Sequence, residues 1–427
     1  MKIGIIGAGI SGLSAGYELA KEKHSVVIFE KSQVPGGLGT YIKIKGNYIE
    51  RFYHHFFETD KYIIEYAKEL GISDKLHFYS AKTGIFTNNK IFPFSSITNL
   101  LLFLPLSFID RLRCGLVLAF LKILSKPFSS FDHISAEKWL KKYAGNNVYN
   151  VIWKPLLEGK FSKYANWVPM MWLWGRVRDR SLKLGYFDGS VKTLFDSLIT
   201  QIKKYNGDII LGAEISGIKQ KANKVIIFEK NKTYTFDKVI IATVSPIVNI
   251  LLKDTLPTSY RNRLQSIDHL GAICVIVELK FSIQSQYWLN ICTPHAPVLV
   301  MVEHTNMINS SSYGKRSIVY LANYIHRDDK RFTLSDKEIV KEYTSILKKI
   351  NPKFSDSWII KTYVSRVPRA QTIFQLDALK NKPSIQTPLK NIYMINIDQM
   401  YPHDRNLNQG IELGKKVAKM ISSHKTQ

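Results

Sequence analysis

Cysteine is scarce in this chain of 427 residues. The three cysteines, Cys114, Cys274 and Cys292, lie far apart, and none belongs to a CxxC pair. Disulfide scaffolds and structural zinc sites both need several cysteines at short spacings. The sequence therefore argues against both, and it predicts a protein of a reducing compartment that holds no metal.

Long uninterrupted hydrophobic runs are also missing. The most apolar stretch, 99–124, is broken by Pro105 and by charged residues at 110, 111 and 113. Neither half of it reaches the roughly 20 residues that cross a bilayer. We expect two buried helices around a substrate cavity; the alternative is a helix pair that lies on a membrane and admits a lipophilic substrate.

The amino-terminal stretch IGIIGAGISGL does not have the form of a signal peptide. Glycines interrupt it, and a polar helix follows it with no stop-transfer pattern. We therefore expect a cytoplasmic protein, with peripheral contact to a membrane as the alternative.

Acidic residues are few beside basic ones. The chain has 60 lysines and arginines against 34 acidic residues, a formal net charge of +26. This balance is typical of a lysine-rich solvated surface, or of attraction to anionic lipid or an acidic substrate. Because the basic residues are scattered and match no nucleic-acid-binding motif, we expect a small-molecule substrate and no nucleic acid. The oligomeric state stays open.

What the chain does contain is a glycine-rich opening segment, KIGIIGAGISGLSAGYELAKEKHSVVIFEK at 2–31. Apolar runs at 2–6 and 26–30 predict two strands, and the segment 12–23 between them predicts a helix. The opening segment is therefore a β-α-β unit.

The glycines of this unit have a physical reason. Gly7 permits the tight turn out of the strand, Gly9 lets the backbone approach a pyrophosphate, and Gly12 lets the helix pack close to the sheet. The helix amino terminus offers free N–H groups to phosphates, and Glu30 ends the second strand where a carboxylate can bind a ribose. The pattern predicts a dinucleotide site.

A glycine pair, Gly36 and Gly37, follows in EKSQVPGGLGTY. An amino-terminal GxGxxG, an acid and a GG pair resemble the flavoprotein superfamily of amine oxidases, protoporphyrinogen oxidases and phytoene desaturases, to which UDP-galactopyranose mutase is related. The resemblance implies FAD as the cofactor, with the GG segment beside its diphosphate. Leu38 stands where the family usually has arginine, which removes a phosphate-facing charge.

The resemblance also implies that later segments return to the cofactor. Ile215 matches a strand that contacts the adenine, Asp398 matches an acid that binds the ribityl chain, and Gly410 opens a helix that points at the flavin ring. The sequence reads NIDQ at 396–399, where the family usually has AGD. The cofactor-binding residues implied are Gly7, Gly9, Ile10, Ser11, Gly12, Glu30, Lys31, Gly36, Gly37, Leu38, Gly39, Ile215, Asp398, Gly410 and Ile411.

The predicted fold class is α/β. The chain is too long for one typical hydrophobic core, and the resemblance implies a Rossmann-like FAD-binding domain of discontinuous segments plus a mixed α+β substrate domain. The predicted segments are 1–80, 185–246 and 386–427 for the FAD-binding domain, and 81–184 and 247–385 for the substrate domain.

Catalytic groups are harder to place, and no triad is found. The adjacent histidines at 54 and 55 invite an acid–base role, because imidazole titrates near neutral pH. The tryptophan-rich stretch 151–177 matches a region that lines the family's substrate pocket. The candidates are His54, His55 and Lys154 for catalysis, and Lys160, Trp172, Trp174, Arg366 and Arg369 for substrate binding.

The leading functional hypothesis is an FAD-dependent oxidase or desaturase that removes hydride from a C–N or C–C bond, because the flavin supplies the redox chemistry. One alternative is a mutase-like flavoenzyme acting on a sugar nucleotide, whose diphosphate basic residues would bind. The other is a flavin-binding protein without catalysis.

Overall fold

Strands and helices alternate at both ends of the chain in this computed structural model, which describes residues 1–253, 255–293 and 295–423. In chain order the strands are β1 (Lys2–Ile6), β2 (Ser25–Glu30), β3 (Tyr41–Ile44), β4 (Asn47–Glu50), β5 (Phe56–Phe57), β6 (Leu76–Ser80), β7 (Thr83–Thr87), β8 (Lys90–Pro93), β9 (Lys183–Phe187), β10 (Asp208–Leu211), β11 (Ile215–Lys221), β12 (Lys224–Glu229), β13 (Lys232–Phe236), β14 (Lys238–Ile241), β15 (His269–Leu279), β16 (Trp288–Ile291), β17 (Val300–Glu303), β18 (Ser317–His326), β19 (Ile359–Thr372) and β20 (Ile392–Met394). The helices are α1 (Ile10–Lys21), α2 (Lys61–Glu69), α3 (Ile97–Leu101), α4 (Phe108–Ile123), α5 (Ala136–Tyr143), α6 (Asn146–Val148), α7 (Lys154–Phe161), α8 (Met170–Asp179), α9 (Lys192–Lys204), α10 (Ser245–Leu251), α11 (Thr258–Gln265), α12 (Asp336–Ile350), α13 (Ala378–Asn381) and α14 (Leu407–Ser423).

A parallel five-stranded sheet, in the order β10-β2-β1-β14-β20, is built from all three segments predicted for the FAD-binding domain. Its strands are short apolar runs such as KIGII and KVII, as expected of strands covered on both faces. Helices α1, α2, α9 and α14 pack on one face, and the antiparallel sheet β11-β12-β13 packs on the other. The predicted α/β fold class with a Rossmann-like domain is therefore confirmed.

A seven-stranded sheet, in the order β19-β15-β18-β17-β16-β7-β8, forms the second half of the molecule. It combines strands from both segments predicted for the substrate domain. Its strand β15, second from one edge, is buried along its whole length, because α12 and a second apolar cluster cover its two faces. Helices α4, α5, α7 and α8 form a separate core beside this sheet.

The strand β9 spans one predicted domain boundary. It pairs with β5 and β6, which precede it by more than a hundred residues. The predicted boundary between residues 184 and 185 falls within β9 (Lys183–Phe187) and stays a prediction. Local pattern did not predict β9, because KLGYF has no long alternation of apolar and polar residues. The other boundaries stay predictions.

The apolar stretch 99–124 differs from the expectation of two buried helices. Only Cys114, Val117 and Leu121 of α4 are buried, while much of its apolar surface faces outward. The sequence could not reveal this, because apolar residues occupy both faces of the helix and only packing decides which face is covered. Among the described residues, no helix is both long enough and apolar enough to cross a membrane.

Helix α14 approaches α1 so closely that the contact requires glycine. A Cβ at Gly410 would lie 2.5 Å from Cγ2 of Ile10, and one at Gly414 would lie 2.8 Å from the backbone nitrogen of Ala15. Both distances are shorter than a van der Waals contact, so the two backbones can meet only without a side chain there. This contact ties the last helix to the first.

We expect Gly414→Ala to destabilise the protein by about 1–3 kcal/mol, because an overpacked contact forces the two helices apart. Gly115→Ala is the matched control, since its Cβ on α4 would meet nothing closer than 3.5 Å, and helix propensity then favours alanine. Thermal unfolding measured by differential scanning fluorimetry checks both. Equal melting temperatures for the two variants would contradict the close packing.

Candidate functional site

The carboxyl ends of four parallel strands meet at one edge of the five-stranded sheet. The turn after β1 pairs with the GG segment through a bridge between Gly9 and Gly36, and the Gly36 N–H donates to the Ala8 carbonyl at 2.8 Å. On the other side, Nδ2 of Asn396, which follows β20, donates to the Thr243 carbonyl after β14 at 2.9 Å. The predicted convergence of remote segments on the first turn is present. In open α/β sheets ligands bind at this edge.

The first glycine turn has open space beside Gly9. A Cβ at Gly9 would meet only the Cα of Gly37, at 3.9 Å, so protein atoms leave the place beside Gly9 open. Helix α1 begins there with no side-chain cap and no acidic residue in its first turn, which leaves its first N–H groups free for phosphates. The buried hydroxyl of Thr243 nearby has no hydrogen-bond partner among the described residues. We call this place the glycine cradle.

Gly7 and Gly12 serve the cradle differently. Gly7 has φ of +106°, which glycine adopts at no steric cost, and a Cβ at Gly12 would lie 2.0 Å from the Gly7 carbonyl oxygen. These two residues shape the turn. Gly9 borders open space, whereas a Cβ at Gly37 would lie 3.3 Å from the Gly9 Cα.

Glu30 stands beside the cradle at the end of β2. Its carboxylate accepts the Ala8 N–H and the Ser32 N–H, both at 2.9 Å, which fixes the side chain against the first turn. The Ala213 N–H donates to the Glu30 carbonyl at 2.9 Å, so the segment that leads into Ile215 also lies here. Lys31 is exposed, and Leu38 is half-buried between the turns.

The carboxy-terminal candidates Gly410 and Ile411 lie within α14. Helix α14 begins at Leu407, so Gly410 does not open it but packs one turn further along against Ile10 and Ser11. Ile411 is fully buried in the core beneath the sheet.

Asp398 is fully engaged by the protein. The predicted strand 392–397 stops at Met394, and a short 3₁₀ turn carries Asp398 inward. Its carboxylate accepts from Nε2 of His269 at 2.7 Å and Oγ1 of Thr372 at 2.6 Å, and from the hydroxyl and N–H of Ser245. Burial alone would raise its pKa, but these donors lower it. With its acceptor sites filled, Asp398 holds segments together.

A cavity opens where the two halves of the molecule meet, and we call it the junction cavity. The first residue of α14, Leu407, lines it, and the fourth, Gly410, packs beside the glycine cradle, so one helix connects the two places. Its lining residues are Tyr53, His54, His55, Phe57, Trp153, Leu156, Leu157, Lys160, Trp172, Leu173, Arg176, Asp179, Arg180, Trp288, Asn290, Leu299, Val300, Tyr324, Asp404, Arg405, Asn406 and Leu407.

Positive charge dominates the junction cavity. Nζ of Lys160 and Nη1 of Arg176 both lie 2.6 Å from Oδ2 of Asp404. Burial lowers the pKa of Lys160 to about 7, although Asp404 opposes the change. Burial also acts on Asp404 and would raise its pKa, but Lys160 and Arg176 hold that pKa at about 2. The carboxylate of Asp404 is therefore ionised and shared by two cations.

Two further arginines line the junction cavity without a carboxylate partner among the described residues. Nη2 of Arg405 contacts the Tyr324 hydroxyl at 2.8 Å, and its buried Nε has no hydrogen-bond partner. The second is Arg180, whose neighbour Asp179 is bonded to His403 at 2.7 Å.

The two candidate histidines line the junction cavity, but their charge state limits their ability to accept a proton. Burial lowers the pKa of His54 to about 4, with a contribution from Arg405, and that of His55 to about 3, with one from Arg180. Nδ1 of His54 also lies 2.6 Å from the Phe52 carbonyl. Both rings are therefore neutral near pH 7 and too weakly basic to be efficient proton acceptors.

The remaining candidates divide between the junction cavity and other places. Trp172 lines it, with Nζ of Lys160 lying 5.4 Å from the ring centroid. Trp174 instead lies in the helical core, where its Nε1 donates to the Leu124 carbonyl at 3.0 Å. Lys154 lines a separate outer pocket, which shares only Leu299 and Tyr324 with the junction cavity.

Arg366 and Arg369 line neither pocket. Arg366 is paired with Asp336 of α12 and also donates to the Leu334 carbonyl at 2.9 Å. Arg369 lies further along the same strand, β19, with part of its side chain buried. The arginines that line the junction cavity are Arg176, Arg180 and Arg405, none of which was a candidate from the sequence. The runs GRVRDR and HDRN were their only signal.

Comparison with known proteins agrees with this geometry. The family model described as flavin containing amine oxidoreductase matches residues 10–395. The chain belongs to this family. The predicted superfamily, FAD as cofactor and the class of FAD-dependent oxidoreductase are thereby confirmed, and the glycine cradle fits such a dinucleotide.

Individual relatives are distant. A coproporphyrinogen III oxidase of Staphylococcus aureus is 27% identical over 215 residues, 48% of this chain and 46% of the relative. A zeta-carotene desaturase of Arabidopsis thaliana is 28% identical over 178 residues, 36% of this chain and 32% of the relative. The matches thus span less than half the length of these curated relatives.

Solved structures share the whole fold. An oxidoreductase from Methanosarcina mazei superposes with a TM-score of 0.78 at 17% identity, over 98% of this chain and 100% of that one. Cyclohexylamine oxidase from Brevibacterium oxydans superposes with a TM-score of 0.73 at 14% identity, over 100% of this chain and 99% of that one. At these identities the likeness concerns the fold alone.

We expect Gly9→Ala to weaken FAD binding by about tenfold or more without unfolding the protein, because its Cβ fits the protein but enters the cradle. Gly12→Ala is the contrasting variant, and we expect it to lower the melting temperature, because its Cβ strikes the Gly7 carbonyl. FAD titration of the apoprotein by flavin fluorescence and thermal unfolding check the pair. Unchanged FAD affinity in Gly9→Ala would argue against the cradle.

Proposed function

We propose that this chain is an FAD-dependent oxidase or desaturase whose substrate is an anion seated in the junction cavity. One observation carries the proposal. Four cations line that cavity, Lys160, Arg176, Arg180 and Arg405, against two carboxylates that are already paired within the protein.

The charge balance selects between substrate classes. An ammonium group entering the junction cavity would meet repulsion and find no free carboxylate, and a neutral polyene would leave buried arginines without partners. A carboxylate or phosphate supplies the missing partner, and guanidinium groups bind such anions with two hydrogen bonds. The proposal therefore favours an anionic substrate over amines and polyenes.

The uncharged residues that line the junction cavity fit the apolar part of such a substrate. Trp153, Trp172 and Trp288 present large apolar faces, and Asn290 adds an amide. Pockets of this kind combine apolar contact area with a few polar groups that fix orientation. A ring system with acidic substituents meets both requirements. The porphyrinogen in the name of the Staphylococcus aureus relative is a substrate of this kind.

FAD supplies the redox chemistry when bound, by accepting hydride from a C–N or C–C bond of the substrate. The glycine cradle, Glu30 and the amino terminus of α1 would hold its nucleotide part. Lys160, Arg176 and Arg405 bind and orient the anionic groups of the substrate. Tyr53 and Trp288, whose rings meet edge to face at 5.0 Å, exclude water from that end of the cavity.

The mutase-like alternative rests on the same charges, because the diphosphate of a sugar nucleotide is also an anion. Anaerobic mixing separates the possibilities. We expect coproporphyrinogen III to bleach the flavin absorbance at about 450 nm and putrescine to leave it unchanged. Turnover of UDP-galactose by the dithionite-reduced protein, without bleaching by any porphyrinogen, would favour the mutase. Bound flavin that no substrate reduces or employs would favour the non-catalytic alternative.

We expect Lys160→Gln to raise the KM or Kd for the anionic substrate by about 10- to 100-fold, because a buried cation is lost from the cavity. Lys154→Gln is the matched control, since Lys154 is exposed in the outer pocket, and it should change neither value by more than about twofold. FAD content measured alongside shows that only substrate binding is altered. Equal losses in both variants would contradict the assignment.

The same lysine predicts a pH dependence. Because its pKa is about 7, Lys160 is charged below that pH and becomes neutral as the pH rises through it. Affinity for the anion should therefore fall between pH 6 and pH 8, on the order of tenfold, and Lys160→Gln should abolish this step. Kd measured by fluorescence titration across this range checks it. A step that persists in the variant belongs to another group.

A further inference from the structure

Large apolar side chains are exposed together along α3, α4 and the segments that flank them. None of the functions above uses them, and contiguous apolar surface of this kind marks an interaction site. The exposed residues, which we call the α4 face, are Ile97, Leu101, Leu102, Leu104, Phe108, Ile109, Leu112, Leu116, Phe120, Ile123 and Phe128.

Helix α4 has two apolar stripes, and the fold covers only one. The outer stripe runs through Ile109, Leu112, Leu116, Phe120 and Ile123, the spacing of residues on one side of a helix. Ile109 is 70% exposed, Leu116 72% and Ile123 80%. A surface helix normally turns polar residues outward, so this stripe requires another apolar phase to cover it.

Positive charge surrounds the α4 face. The segment 97–128 carries four cations and one acid, Asp110, which is bonded to Ser107 and Asn147. Arg111, Arg113 and Lys122 donate only to backbone carbonyls, and Lys126 forms no ion pair among the described residues. The face therefore combines apolar contact with unneutralised cations on long side chains, which reach past an apolar surface to charged groups.

We propose that the α4 face docks on an anionic lipid bilayer surface, with the outer stripe among the acyl chains and the cations at the headgroups. An apolar stripe flanked by basic residues is what binding at an anionic interface requires. A second copy of this chain suits the face less well, because a two-fold contact would bring the same cations together.

Docking would place the openings of both cavities near the bilayer. Pro105, between α3 and α4, lines the outer pocket. At the other end, Nζ of Lys122 donates to the Arg180 carbonyl, and Arg180 lines the junction cavity. The segment that carries the α4 face thus contacts residues of both cavities.

Vesicle flotation of the full FAD-loaded chain tests the proposal. We expect it to float with phosphatidylcholine vesicles that contain phosphatidylglycerol and much less with phosphatidylcholine alone. Ile109→Glu with Ile123→Glu should lower the partition coefficient by about tenfold or more. Ile250→Glu is the matched control, because Ile250 is 59% exposed on α10, away from the face, and it should float like the wild type.

Three outcomes would overturn the proposal. One is equal flotation of the wild type and the double variant. Another is equal flotation with neutral and anionic vesicles, unaffected by raising sodium chloride from about 0.1 M to about 0.5 M, since screening must weaken headgroup contacts. The third is light scattering that shows a wild-type dimer, a monomeric double variant and no vesicle binding, which would assign the face to a contact between copies. The melting temperature of each variant confirms that it is folded.

Discussion

The contact between α1 and α14 is the constraint on which the rest of the structure depends. It joins residues 10–15 to residues 410–414, and it exists only because Gly410 and Gly414 let two backbones meet without side chains. Through it, the helix that lines the junction cavity is fixed against the helix that forms the glycine cradle. Two packed helices therefore connect the glycine cradle with the junction cavity.

The junction cavity shows how a charged site can exist inside an apolar region. Lys160 and Arg176 share one carboxylate, Asp404, whose low pKa keeps it ionised and therefore keeps both cations in place. Arg405 is held by Tyr324 instead of by a carboxylate, so its charge is not compensated inside the protein. A buried cation without an anion is costly, and an anionic ligand relieves that cost.

The sequence by itself determined the parts of the fold that depend on local pattern. Gly7, Gly9 and Gly12 between two apolar runs specified the first strand, turn and helix. At each of these positions the steric reason for glycine arises from residues nearby in the sequence. Strands such as 208–211 were also predictable, since their apolar runs are bounded by turn residues. The family resemblance added the expectation that distant segments complete one sheet.

Only the tertiary structure decided which side chains meet. Asp398 became an internal anchor because His269 and Thr372, more than twenty residues away in sequence, converge on it. Arg366 forms an ion pair with Asp336, whereas Arg405 lines the junction cavity, although a polar residue precedes each arginine in the sequence. The exposure of α4 was likewise settled by packing. Local pattern fixes backbone conformation, but the partners of a charged or apolar side chain depend on contacts between segments that the sequence leaves far apart.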